Sequence, residues 1–108
     1  MMTRVDFNRL AAKVREDTKY DSGFQGIIDH PAHKEIVEAG EPMIKYILQD
    51  LRNDPWHWFM ALHLITGEHV IKPEHRGMVQ AMTDDWLAWG REKGYIPNKP
   101  WHSVPVVL

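Results

Sequence analysis

Four prolines, Pro31, Pro42, Pro55 and Pro73, divide this chain into short lengths, and each precedes a stretch of helically spaced apolar residues. Proline suits the first turn of a helix, where its missing N–H costs nothing, and is disfavoured in the interior by its ring. The chain is therefore read as short helices in series.

The first helix carries Phe7, Leu10, Ala11 and Val14 at i, i+3, i+4 and i+7. Thr3 and Asp6 ahead of them resemble a capping box. Asp21-Ser22-Gly23 reads as a loop. A second helix is expected to start at Pro31, bury Ala32, Ile36 and Val37, and stop at Gly40. The third starts near Pro42 with Met43, Ile44, Ile47, Leu48 and Leu51 as its stripe. Asp54 as N-cap and Pro55 at the first position predict a fourth helix over residues 56–66, ended by Gly67. That segment is apolar nearly all round, which predicts a central helix buried between neighbours. Residues 68–72 read as a short extended stretch. A last helix is predicted from Pro73-Glu74, with Val79, Met82, Trp86 and Trp89 inward, Gly90 near its end and Gly94 beyond. The expected class is all-α, a compact bundle of about five helices forming one domain over residues 1–95. Residues 96–108, with three prolines, predict an extended tail.

Composition narrows the chemistry. With no cysteine there are no disulfides, thiolate metal sites, iron–sulfur clusters or cysteine nucleophile. A net charge of -2 argues against bulk nucleic-acid binding. The basic residues Arg4, Arg9, Lys13, Arg15 and Lys19 alternate with Asp6, Glu16, Asp17 and Asp21, so no lopsided phosphate-binding stripe forms. No secretory h-region opens the chain, and no apolar run approaches the roughly 18 residues of a membrane span. A cytoplasmic protein is the expectation.

Residues 40–51 (Gly40-Glu41-Pro42 followed by paired aliphatics), with Trp58-Phe59-Met60-Ala61-Leu62 and Ile65-Thr66-Gly67, resemble one HEAT-type helical hairpin spanning roughly residues 30 to 67. Arrays of such units need about three for stability, so the resemblance implies a closed bundle holding one HEAT-like hairpin. The longer string His30-Pro31-Ala32, His57-Trp58-Phe59, Ile65-Thr66-Gly67-Glu68, Arg76-Gly77 and Trp86-Leu87-Ala88-Trp89-Gly90 is similar to small bacterial proteins, some from phage-rich genomic regions. That resemblance implies no activity.

Candidate chemistry is sparse. His30 and His33, three apart, are spaced to chelate a metal, but no third ligand follows, so no metal is expected. His33 reads as an exposed polar residue. His57 and His63 differ by about 240° of helical rotation and cannot share a ligand face. His63 follows Phe59 and Met60 on an apolar side, which reads first as a core histidine; were it to face a cleft it would be the candidate base. His69, His75 and His102 fall in connections or the tail. Ser22 and Ser103 lack a nucleophile elbow, and adjacent Asp84 and Asp85 diverge by about 100° on a helix. No catalytic residue and no cofactor are assigned.

Five tryptophans exceed what a core of this size needs. Burial is expected for Trp58, Trp86 and Trp89, and exposure for Trp56 or Trp101. Trp56, Tyr95 and Trp101 are the interface candidates. The expected function is a non-enzymatic protein–protein interaction module, adaptor or inhibitor in type and bacterial or phage in origin. Its contact surface would be a groove beside the central helix or the tail, and a homodimer is one form of the partnership. The alternatives are a nucleic-acid-associated protein and a small His-dependent hydrolase.

Overall fold

The computed structural model describes residues 3–20 and 25–96. The predicted loop at residues 21–23 and the tail beyond Ile96, with Trp101, lie outside the described residues. Among those described there are six α-helices and no strand: α1 (Arg4–Thr18), α2 (Gln25–Asp29), α3 (Pro31–Ala39), α4 (Ile44–Asn53), α5 (Phe59–Thr66) and α6 (Val79–Lys93). The all-α class holds, with one helix more than the sequence suggested. The addition, α2, is five residues long with one buried side chain, Ile27, too short to display a period.

α1 forms as its pattern requires. Thr3 Oγ1 accepts from the Asp6 N–H and the Asp6 carboxylate accepts from the Thr3 N–H at 3.0 Å, the reciprocal bonds of a capping box. The Thr3 N–H holds the Asp6 carboxyl below the usual carboxylate range. α3 is capped by His30 itself, whose Nδ1 accepts from the Ala32 N–H at 3.0 Å while Nε2 meets Asp17 at 2.8 Å. Pro42 stands in a 3₁₀ turn, Glu41–Met43, that leads into α4. Ile44, Ile47, Leu48 and Leu51 form the buried stripe of α4.

Residues 54–58 depart from the sequence reading. Asp54 does not cap a following helix; it ends α4, its N–H donating to the Asp50 carbonyl. Arg15, on α1, donates to the Asp50 carboxylate at 2.5 Å and the Asp54 carboxylate at 2.7 Å. It also reaches the Asp54 carbonyl, so the side chain needed as a cap is already engaged. The chain runs irregularly to Trp58, whose indole N–H donates to Asp50 at 2.7 Å, and α5 begins only at Phe59. α5 is also not enclosed on every side: Phe59, Ala61 and Leu62 are buried, but Met60 is 42% exposed and Leu64 52%.

α3 packs against α1, α2 and α5, and α4 against α6. α4 and α5 touch, but each packs more extensively on another helix. Pro73 opens a 3₁₀ turn, Pro73–His75, rather than the last helix. Gly77, at φ 85°, then takes a left-handed conformation that breaks the run, and α6 starts at Val79. Residues 68–72 form no strand; the Lys72 N–H and His75 Nδ1 both bond the Asp85 carboxylate, tying this stretch to α6. Burial of Asp85 acts to raise its pKa, but those two bonds outweigh it and the carboxyl sits low. The core extends to Ile96, which is buried. No helix among the described residues is long and apolar enough to cross a membrane.

Candidate functional site: two clefts beside α5

The tryptophans divide by what surrounds them. Trp58 is fully buried, with Phe7 at 5.7 Å, His33 stacked at 6.0 Å and Trp56 edge-on at 4.9 Å. Trp86 is buried as expected, and Trp89 only half-buried. Trp56, an interface candidate, is half-buried against Trp58 with the Arg15 guanidinium 4.9 Å above its ring. It belongs to the clasp that closes residues 54–58 onto α1. The indole nitrogens of Trp86 and Trp89 are shut from solvent and have no acceptor among the described residues.

His33 is a correction. It is 1% exposed, because the third position of α3 turns inward and its ring lies parallel to Trp58. Burial pushes its pKa down, and nearby His30 adds to the effect; burial also lowers His57. The unfolded chain takes up a proton at about pH 6.5 that buried His33 refuses, so stability is full above that pH and falls as the pH drops below it. His33→Phe is expected to keep the stack and flatten this dependence. Urea midpoints at about pH 7 and 5 should differ less in the variant than in the parent; an equal difference would assign the acid sensitivity elsewhere.

Two open clefts flank the segment that follows α5. The first, about 230 Å³, is lined by Phe59, Met60 and His63 of α5, by Glu68, His69, Val70 and Ile71, by Arg76, and by Met82 and Trp86 of α6. His63 thus faces a cleft rather than the core. Its Nδ1 lies 3.0 Å from the Glu68 carbonyl, and its ring centroid is 4.6 Å from that of His69. Since a carbonyl only accepts, Nδ1 is the donor in this contact, and in the neutral ring Nε2 carries the lone pair. His69, which the sequence placed in a connection, is the partner that reasoning from helical spacing missed; the left-handed turn at Gly67 folds it back toward α5. Neither His30 nor His57 lines this cleft. Among the described residues no hydroxyl or thiol lines it either. Among the described residues no three His, Asp or Glu side chains gather where a metal ion could sit.

The second cleft, about 380 Å³, shares Glu68 with the first. Ile44, Ile65, Thr66, Trp89 and Tyr95 line it, with Glu41, Glu68 and Lys93. Tyr95, an interface candidate, stacks on Trp89 with ring centroids 5.4 Å apart and planes 19° apart. Its hydroxyl donates to Glu41 at 2.8 Å, which pushes the tyrosine pKa up. Like the first cleft, this one borders α5, here through Ile65 and Thr66.

The cations of α1 are paired with neighbouring side chains, mostly at the surface. Lys13 pairs with Asp17, Lys19 with Glu16, Arg9 with Asp6 and Arg15 with Asp50 and Asp54. Arg4 bonds Gln49 and lies over the Tyr46 ring.

The described residues form an all-α fold whose surface recesses include these two clefts. No family model matches the chain, and no curated protein or solved structure does either.

Proposed function

We propose that the protein is a small non-enzymatic protein–protein interaction module whose second cleft receives an extended, proline-bearing peptide segment with a basic residue. The observation that carries this reading is the stacked Trp89–Tyr95 pair along an open groove. Proline-rich segments dock on aromatic-lined grooves because their preformed extended helix loses little entropy on binding. The cleft falls within the range of about 300–1,000 Å³ usual for ligand sites. Its two carboxylates against one ammonium favour a ligand that brings a cation. The pairing of the α1 cations with neighbouring side chains, and the lack of a nucleophile beside His63 among the described residues, weigh on the same side, against a nucleic-acid or hydrolase role.

The chain's own Pro97-Asn98-Lys99-Pro100-Trp101 has this composition and supplies the probe. A dye-labelled peptide of that sequence is titrated by anisotropy into protein carrying Pro97→Ala, Pro100→Ala and Trp101→Ala, which prevents self-competition. Saturable binding is expected, weakened at least about tenfold, or 1.4 kcal/mol, by alanine in place of the peptide prolines or by Tyr95→Ala in the protein. No binding, or equal binding of the proline-free peptide, overturns the proposal.

A further inference from the structure

We propose that the first cleft binds one monovalent soft metal ion, copper(I) or silver(I), through the thioethers of Met60 and Met82 and the imidazoles of His63 and His69. All four line one space of about 230 Å³. Met60 and His63 stand at i and i+3 on α5 and share a face; Met82 comes from α6, and His69 from the segment between. The two imidazoles are already side by side.

The pattern of donors selects the ion. A zinc or harder divalent site would draw on a third imidazole or carboxylate, and no such cluster exists among the described residues. Thioether sulfur is a soft, uncharged ligand that favours copper(I), and imidazole also suits copper. Glu68 and Arg76, which line the cleft with opposite charges, leave it near neutrality, suited to a single positive charge. The chain has no thiol to compete for such an ion.

The support around the ligands fits as well. A ligating histidine commonly donates its second nitrogen to a carbonyl, which fixes tautomer and orientation; His63 Nδ1 does this with Glu68, leaving Nε2 for the ion. The methionine side chains, each with three rotatable bonds, supply the adjustment that closes the coordination. Phe59, Ile71 and Trp86 give an apolar wall that limits competing water.

Silver(I), which does not change oxidation state in air, is the probe, added to the whole chain labelled at the methionine methyls. At one equivalent the Met60 and Met82 methyl signals and the His63 and His69 ring signals are expected to shift. Met43, fully buried in the core, and Met78 should stay in place. Met60→Leu with Met82→Leu, close in volume, should reduce silver affinity in chelator competition at least about tenfold, with the circular-dichroism spectrum unchanged. Zinc(II) should compete poorly. Undiminished silver affinity in the double variant, zinc binding as tightly as silver, or a shift at Met78 without Met60 and Met82 would overturn the assignment.

Discussion

Trp58→Ala is expected to lower the free energy of unfolding by about 3–5 kcal/mol, a large fraction of the roughly 5–15 kcal/mol that holds a domain folded. Two losses combine. The ring fills the space between Phe7 on α1 and His33 on α3, and its removal leaves a cavity where those helices meet the segment leading into α5. Its N–H also bonds Asp50, so the substitution takes one partner from a carboxylate that must still face Arg15. Trp58→Phe separates the two. It retains most of the packing and loses the donor, and should cost about 1–3 kcal/mol. Urea unfolding followed by circular dichroism gives both values. A Trp58→Ala loss under about 1.5 kcal/mol would mean that the surrounding helices collapse onto the site far more readily than rigid cores do.

What the sequence disclosed follows the range of the interactions concerned. The α1 stripe and its Thr3–Asp6 cap are legible because every contact that forms them lies within one turn. Gly67 and Gly94, as helix ends, are equally local. Asp54-Pro55 reads as a helix start by the same local logic, and that logic fails because Arg15, distant in sequence, takes both the Asp54 carboxylate and its carbonyl. His33 looks like a surface residue until Trp58 is folded against it. α5 contains almost nothing polar, so no periodicity marks which side its neighbours cover; that Met60 and Leu64 face outward emerges only once α3 is in place. The site divides the same way. His63 and Tyr95 are legible as candidates from residue type, but the clefts depend on residues 67–71 folding back after α5. That aperiodic stretch has no sequence signature for its path, and it brings His69 and Glu68 to the site.

Gly90→Val is expected to destabilise the fold by about 3 kcal/mol, and Gly90→Ala by about 1 kcal/mol, although glycine inside a helix ordinarily costs about 1 kcal/mol relative to alanine. Propensity favours the substitution and packing opposes it, so distance decides. A Cβ at position 90 would lie 2.5 Å from Leu48 Cδ1 and 3.4 Å from Ile96, closer to Leu48 than carbon atoms approach without movement. Leu48 is fully buried, so turning its methyl aside means repacking core neighbours. The close approach of α6 to α4 depends on this hydrogen in place of a methyl. Valine branches at the same carbon and adds two methyls where one already does not fit. The partner can be tested directly. In a Leu48→Ala background the obstructing carbon is absent, and Gly90→Ala should become neutral or stabilising by up to about 1 kcal/mol, its propensity gain alone. The four proteins of this cycle, compared by urea midpoint, should show a coupling of at least about 1 kcal/mol between the two positions. If Gly90→Ala stabilises the parent by the full propensity gain, the two helices are not in the contact described.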